Sequence, residues 1–330
     1  RRGLAEKLPE LRARGLAPLA LPEPRPAWQV DATALGAFAR YTATSLEALV
    51  GCPLHWVFRH RARLGSGWTA KIPSGPLLNG RLGHRLIEEL HREGAFGDST
   101  TVAASARALI DRLIAEEAAV LLRPGMTFEL TQLREQLVRA VERFSELLAE
   151  GHLVIAAVEA ESKVEWRGRA LDGRLDLLLH DARGNEVVLD LKWGRSSYRT
   201  RLERGLAVQL AVYAASRKLA RPATSLPPAG YFSLGQGELL TTEPDAFGAV
   251  RAVPGPALEE TWARLERTVT ALEAALARGT VSATGLRCSL PLLESIGVGD
   301  AERERYLEAE PPCEYCEHAT LCGRAWEGLA

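Results

Sequence analysis

The sequence predicts an α/β fold with a helical front half. Apolar residues recur at helical spacing over 127–150, and after Gly151 the pattern changes to that of strands. The predicted elements then follow in the order three strands, helix, two strands, helix, which is typical of an α/β core. With 330 residues, 46% of them hydrophobic, the chain is long enough to bury a sizeable core.

The front half is predicted to be helical after an extended start. Pro18, Pro22, Pro24 and Pro26 indicate a linker, so 1–40 is expected to be a linker or the end of a preceding domain. Four leucines spaced by four residues mark an amphipathic helix that also carries His84. The predicted helices are 42–52, 54–64, 77–91, 99–122 and 127–150.

The back half is predicted to supply the strands. Apolar runs separated by Arg167-Gly168 and by 181–185 indicate three consecutive strands. The predicted strands are 153–166, 169–180, 186–193, 229–234 and 238–242, with helices at 206–219 and 258–278. Residues 194–205 are predicted to be a basic loop.

Composition excludes several classes of protein. The net charge is −1, although residues 1–92 hold 14 Lys/Arg against 7 Asp/Glu, so a local basic surface is expected. The sequence shows no apolar run of membrane length, no signal peptide and no G-x-x-x-x-G-K-[ST] loop. We expect a cytoplasmic protein. Because the chain starts at Arg1 and its only methionine is Met126, we expect a segment of something longer.

Two carboxylates and an amine lie on adjacent predicted strands. Asp176 is on one strand, and Asp190 and Lys192 are two apart on the next, so these two project to one face. A surface ion pair would be the ordinary explanation of Asp-x-Lys. The surrounding run Val187–Leu191 is that of a buried strand, where charges are costly without a function. The pattern indicates a divalent metal and a phosphodiester, with Glu161 as a further ligand or base.

These residues resemble known nuclease motifs. Gly173-x-x-Asp176 followed by Asp190-Leu-Lys192 resembles motifs II and III of the PD-(D/E)XK nuclease superfamily, with Asp in place of Glu at the third acid. Gln209-x-x-x-Tyr213 resembles the Q-x-x-x-Y motif of its RecB-like branch, and Leu82-Gly-His84 resembles that branch's motif I. The resemblance implies a restriction-endonuclease-like core, in which helices flank a mixed sheet.

The resemblance also implies roles and boundaries. His84, Asp176, Asp190 and the Leu191 carbonyl would bind Mg²⁺ or Mn²⁺, and Lys192 would be the catalytic lysine. Gln209 and Tyr213 would support the site or touch DNA. The nuclease domain would span 41–330, with a helical insert at 95–150, a catalytic core at 151–245, and a C-terminal helix and cysteine tail at 257–330.

The cysteines suggest a second metal centre. A Cys-x-x-Cys in a cytosolic protein indicates metal or redox chemistry more than a disulfide. The segment around Cys52-Pro53, together with a tail of three cysteines, resembles AddB-type nuclease domains, which hold a [4Fe–4S] cluster. The implied ligands are Cys52, Cys313, Cys316 and Cys322. Structural zinc remains an alternative, and His318 and Cys288 are competing ligands.

Basic and aromatic residues follow the carboxylate motif. Arginines bind phosphates and aromatic rings stack on unpaired bases, so DNA contact is predicted against the alternative of a solvated basic loop. The predicted contact residues are Arg195, Tyr198, Arg199, Arg201 and Arg204.

Together these features predict a metal-dependent deoxyribonuclease, expected to be an exonuclease. The resemblance implies a RecB/AddB-type enzyme that cuts single-stranded or duplex DNA ends in double-strand-break repair and recombination. Its partner would be an AddA-like helicase or a helicase-like region of a longer parent chain. The alternatives are a CRISPR-adaptation-type iron–sulfur exonuclease and a non-catalytic iron–sulfur module that binds DNA ends.

Overall fold

The computed structural model describes most of the chain. The described residues are 23–35, 39–65, 75–96, 99–194, 196–223 and 225–327. The helices are α1 (Ala32–Leu35), α2 (Ala43–Gly51), α3 (Pro53–Trp56), α4 (Gly75–Arg92), α5 (Ser99–Glu117), α6 (Thr127–Glu150), α7 (Ser196–Glu203), α8 (Val208–Ala220), α9 (Leu258–Ala277) and α10 (Leu292–Ser295). The strands are β1 (Ala27–Gln29), β2 (Arg40–Thr42), β3 (Val154–Trp166), β4 (Arg169–His180), β5 (Glu186–Lys192), β6 (Ala229–Ser233), β7 (Glu238–Leu240) and β8 (Thr280–Ser282). Shorter π- and 3₁₀-helical turns lie at Val57–Arg61, Ala119–Leu122, Pro244–Phe247, Asp300–Arg305, Cys313–Tyr315 and Arg324–Trp326.

A mixed sheet forms the centre, as the family resemblance implied, and it has six strands because β2 joins the five that the sequence predicted. Its order is β2-β4-β5-β6-β7, with β3 paired antiparallel to β4. Strand β5 is antiparallel to β4 and parallel to β6, so it lies in the middle of the sheet. The β3–β4 turn uses positive φ at both Arg167 (55°) and Gly168 (71°), as a tight hairpin turn with the twist of the strands requires.

Each face of the sheet packs against its own layer of helices. One core joins α2, α3, α8 and α9 to sheet residues such as Leu175 and Val188. The other joins α4, α5 and α6 to sheet residues such as Leu177 and Leu189. The predicted leucine stripe of α4 is confirmed, since Leu78, Leu82, Leu86 and Leu90 are buried in this second core.

The sequence predicted helix α6 correctly but did not predict helix α7. Helix α6 runs from Thr127 to Glu150 as predicted, because its apolar stripe is long and regular. The basic loop predicted at 194–205 is wrong, because Ser196–Glu203 form helix α7. Tyr198 and Leu202, four residues apart, anchor this helix to the core, while its arginines occupy the remaining faces.

The start of the described chain pairs with a strand of its C-terminal part. Strand β1, inside the segment predicted to be a linker, pairs antiparallel with β8, so that Trp28 lies opposite Val281. Val30 also donates its backbone N–H to the Gly279 carbonyl at 2.9 Å. No helix among the described residues is long and apolar enough to cross a membrane.

Candidate active site and cysteine-lined cavity

The candidate active site lies where β4 and β5 separate. Their backbone ladder ends at the pair Leu177 and Leu189. One residue further along β4, Asp176 Oδ2 accepts the backbone N–H of Leu191 at 2.7 Å, so a side-chain carboxylate takes the place of a strand carbonyl. This exchange brings Asp176 beside Asp190 at the opening between the two strands.

Asp190 is the least compensated charge of the site. It is fully buried, and neither of its oxygens has a hydrogen-bond partner of good geometry among the described residues. Its ionic contact is the ammonium of Lys192, two residues along the strand. Burial and the nearby Asp176 carboxylate raise the pKa of Asp190 to about 7. A buried, under-satisfied carboxylate of this kind requires a ligand or costs stability.

Lys192 remains charged in this environment. Burial favours the neutral amine, but the carboxylates of Asp190 and Asp176 outweigh burial, and the net effect raises the pKa of Lys192. The ammonium also lies 5.9 Å from the centre of the Tyr198 ring. Lys192 is therefore held as a cation beside the two carboxylates.

His84 reaches the site from helix α4. A Cβ at the neighbouring Gly83 would lie 2.6 Å from a methyl carbon of Leu234, so glycine lets α4 approach the sheet closely. His84 Nε2 then lies 2.9 Å from the Leu191 carbonyl oxygen, and its Nδ1 lies 3.7 Å from Asp176 Oδ1. Burial lowers the pKa of His84 and favours the neutral imidazole that binds metals.

Glu159, which the sequence did not single out, belongs to this cluster. Its Oε1 lies 3.9 Å from His84 Nδ1, and ligand atoms of His84, Glu159 and Asp176 all lie within 4.8 Å of one another. Glu159 has a positive φ of 51°, and just before it the pairing of β3 with β4 shifts register between Ile155 and Ala157, so the buried positions of β3 change from odd to even along this part of the strand. Because of this irregularity, the inward-facing side chains of β3 do not follow the strict period-two alternation of a regular strand, so the alternation does not predict that Glu159 faces the site.

Glu161 lies outside the cluster, so its expected place in the site is wrong. Its side chain is 73% exposed and pairs with Lys163 at 3.0 Å. The reason is the same change of phase in β3, because beyond Glu159 the even positions Ser162, Val164 and Trp166 face inward.

Gln209 and Tyr213 line up on α8 as predicted. The Gln209 amide donates to the Tyr213 hydroxyl at 3.0 Å across one helical turn. Burial raises the pKa of Tyr213 to about 12, and the nearby charges of Asp190 and Asp176 add to this. Tyr213 therefore stays protonated next to the carboxylates.

The donor set fits a hard divalent ion. Such ions prefer oxygen ligands with an occasional imidazole. Asp190 offers two buried oxygens that lack a hydrogen-bond partner of good geometry among the described residues, and Oδ2 is the one that contacts the Lys192 ammonium. His84 Nε2 donates a hydrogen bond of 2.9 Å to the Leu191 carbonyl oxygen. Neighbouring ligands of an octahedral Mg²⁺ with bonds of roughly 2.1 Å are also about 3 Å apart, so a metal ion bound by both atoms would take the place of this hydrogen. On the adjacent β6, the hydroxyls of Tyr231 and Ser233 are also buried without a hydrogen-bond partner among the described residues.

The predicted DNA contacts carry carboxylate partners. Arg199 pairs with Glu238 at 3.3 Å, Arg201 with Glu47, and Arg204 with Glu310. Tyr198 stacks against Tyr231, with ring centres 5.0 Å apart. Arg195 lies outside the described residues. To bind these arginines, a DNA phosphate would therefore have to displace the carboxylates that pair with them.

The four predicted cysteine ligands line one cavity. Cys52 comes from the α2–α3 junction, and Cys313, Cys316 and Cys322 come from the C-terminal turns. A Cβ at Gly285 would overlap the Cys313 sulfur, so glycine gives that thiol its place.

Burial and side-chain chemistry suit this cavity to a soft metal. Burial raises the pKa of the Cys313, Cys316 and Cys322 thiols, so thiolates there need a cation. His55 and His318 line the same cavity, whereas Cys288 is exposed, with its sulfur 3.9 Å from the Pro24 carbonyl oxygen. The four thiols share the lining of this cavity, and ligand atoms of His55, Cys316 and His318 lie within 4.8 Å of one another. The side-chain chemistry of the cavity therefore fits an iron–sulfur cluster or zinc.

Comparison with models of protein families identifies a family. A sequence model described as the PD-(D/E)XK nuclease superfamily matches residues 40–323, from the first residue of β2 to just beyond Cys322. No curated protein matches the chain.

Proposed function

The chain belongs to the PD-(D/E)XK nuclease superfamily, and from this premise we propose that it is a metal-dependent deoxyribonuclease of the RecB/AddB type. The observation that carries the proposal is Asp190. It is a fully buried carboxylate whose oxygens lack hydrogen-bond partners among the described residues, and it lies beside the Lys192 ammonium. Such an arrangement costs stability in the resting protein and is justified by binding a cation and a phosphate.

The metal would be held by Asp176, Asp190, His84 and the Leu191 carbonyl, with Glu159 as an additional carboxylate. A bound Mg²⁺ or Mn²⁺ would supply Lewis acidity toward the phosphate and lower the pKa of a water nucleophile. Asp176 Oδ2 is already used by the Leu191 N–H, which leaves Oδ1, on the His84 side, for metal binding.

Lys192 would act as a cation in this site. Because its raised pKa keeps the ammonium protonated, Lys192 suits charge stabilisation and the orientation of water better than proton abstraction. Tyr213 and Gln209 form a neutral hydrogen-bonded pair behind the carboxylates, where they support the site without adding charge.

The cysteine-lined cavity would hold a [4Fe–4S] cluster that joins the front of the chain to its tail. The support is the convergence of four thiols from segments more than 250 residues apart in sequence. The cluster's part would be structural, because closing so long a loop strongly restricts the unfolded chain. Zinc in the same cavity is the alternative that metal analysis distinguishes.

The substrate would be single-stranded DNA or a DNA end, processed together with a helicase in cytoplasmic double-strand-break repair. Support for this comes from a wide groove beside α7, which is lined by Arg59, Arg201 and Arg204 together with Glu47, Glu310 and Glu314. A DNA phosphate would compete with these carboxylates for the arginines. Tyr198, half-buried between Lys192 and Arg201, offers an aromatic ring near the site.

The test is cleavage of end-labelled single-stranded, duplex and circular DNA with Mg²⁺ or Mn²⁺. Lys192→Ala should reduce cleavage by a factor of about 100 or more, as expected for the loss of a charged transition-state contact. Lys163→Ala, which removes an exposed lysine from β3, is the matched control and should cleave like the parent.

The outcomes separate the alternatives. Full activity in Lys192→Ala rejects the assigned site. Metal-independent binding of DNA ends without cleavage by the parent protein favours the non-catalytic module. Cleavage of linear but not circular DNA supports an exonuclease.

A further inference from the structure

Two buried histidines lie against one thiol of the cysteine-lined cavity. His55 follows Cys52 by three residues, and His318 follows Cys316 by two. Both side chains are buried, at 9% and 4% exposure. Their Nδ1 atoms are 3.1 Å apart, and His55 Nδ1 lies 3.4 Å from the Cys316 sulfur. The pair therefore joins the two segments that supply the thiols.

The contact to Leu64 fixes which nitrogen carries each proton. His318 Nε2 lies 3.0 Å from the Leu64 carbonyl oxygen, which only accepts, so Nε2 of His318 carries a hydrogen. In a neutral imidazole the other nitrogen, Nδ1, is then an acceptor. Since His55 Nδ1 faces that acceptor, His55 Nδ1 must be the donor.

The same N–H also faces the Cys316 sulfur. A metal-bound thiolate only accepts hydrogen bonds, and 3.4 Å is within hydrogen-bond range for sulfur. His55 thus has one hydrogen and two acceptors, a histidine nitrogen and a thiolate.

We propose that His55 donates a hydrogen bond shared between His318 and the cluster thiolate of Cys316, and that His318 limits how much of this hydrogen bond the sulfur receives. This inference rests on the proposed iron–sulfur cluster. His55 and His318 are positioning residues toward that cluster and not its ligands. A donor to a cluster sulfur stabilises the more negative, reduced state and so raises the reduction potential.

The geometry predicts that His55→Phe and His318→Phe shift the reduction potential of the cluster in opposite directions. His55→Phe removes the donor and should lower the reduction potential. His318→Phe removes the competing acceptor, leaves the His55 hydrogen to Cys316, and should raise the potential. His55→Asn keeps an N–H at the Nδ1 position and should recover the parent value at least in part. His60→Phe, on the adjacent turn Val57–Arg61, is the control and should not shift it.

The experiment uses the full chain, purified anaerobically with its metal. Metal content is measured first, then the potential by spectroelectrochemistry. The Fe–S(Cys) resonance Raman band is then compared in H₂O and D₂O, where a deuterium shift in the parent that disappears in His55→Phe supports the hydrogen bond.

Each of the other outcomes overturns a defined part of the proposal. Shifts of one sign in both phenylalanine variants, or no deuterium shift in the parent, overturn the shared hydrogen bond while leaving the cluster in place. Loss of metal from the histidine variants alone identifies the histidines as ligands and overturns their positioning role. Zinc in the parent overturns the proposed cluster itself, and the hydrogen bond's redox role with it.

Discussion

Asp190→Asn is expected to stabilise the metal-free protein while abolishing metal binding. The substitution keeps the shape of the side chain and removes a fully buried charge that has an ionic contact with Lys192 but no hydrogen bond of good geometry among the described residues. Lys192 does not become an isolated charge in the variant, because Asp176 also acts on it electrostatically. Stability and function are therefore opposed at this position.

The pKa of Asp190 sets the size and the pH range of the effect. The folded value of about 7 lies above the usual 3.8. Below pH 3.8 the group is protonated in folded and unfolded protein alike, and it costs nothing. As the pH rises toward 7 only the unfolded chain ionises, so the parent loses stability until the folded group ionises as well. At about 1.4 kcal/mol per pH unit, the penalty reaches roughly 4 kcal/mol at pH 8.

The assay is thermal unfolding in chelator at pH 4 and pH 8. With an unfolding entropy of about 2.1 cal/mol/K per residue, 4 kcal/mol corresponds to a Tm roughly 6 °C higher for Asp190→Asn at pH 8, and to little difference at pH 4. Mn²⁺ should raise the Tm of the parent and not that of the variant. The exposed Glu161→Gln serves as control. An equal or lower Tm for Asp190→Asn at pH 8 would refute the reasoning.

Further predictions follow from other contacts. Glu159→Gln should weaken Mn²⁺ binding in titration calorimetry whereas Glu161→Gln should not, and equal affinities would remove Glu159 from the site. Glu186 is 9% exposed and receives two hydrogen bonds from Arg217 at 2.6 and 2.8 Å, so Glu186→Gln should cost about 1.5–3 kcal/mol near neutral pH in chemical denaturation. Burial opposes ionisation of Glu186, but its arginine partners outweigh burial and lower its pKa, so this stabilisation is present above about pH 4.5 and is lost as the pH falls through the lowered value; a destabilisation unchanged in acid would contradict it. Cys316→Ala should lower bound iron, Tm and DNA binding, and an unchanged variant would exclude the cavity as a metal site.

The sequence predicted the centre of the site because regular strands carry it. The alternation of β5 places Asp190 and Lys192 on one face, and the apolar residues around them indicate burial from the sequence alone. Helix α4 was equally regular, so its buried stripe could be predicted, with His84 outside it. The periodicity of the local sequence is sufficient to predict which side chains are buried where one face of a helix or strand packs against a core.

The sequence did not predict features that depend on irregular backbone or on distant partners. Glu159 belongs to an irregular part of β3, where its φ is positive and the register shifts between Ile155 and Ala157, and no residue type in the sequence marks that irregularity. The carboxylates that pair with Arg201 and Arg204 come from Glu47 and Glu310, which lie far away in the chain. The contact between His55 and His318 also spans more than 250 residues. Such contacts follow from tertiary packing and leave no local signal.

The cysteine-lined cavity has a consequence for the order of events during synthesis. The strands of the candidate active site, β3 to β5, are complete by Lys192, whereas the cavity lacks three of its four thiols until Cys313 to Cys322 are made. At about 5–20 residues per second, Cys52 waits roughly 13–50 s for those partners. Strand β1 waits nearly as long for β8, so the nuclease core is translated well before its two ends can be joined, and any metal captured by all four thiols enters after most of the chain has been made.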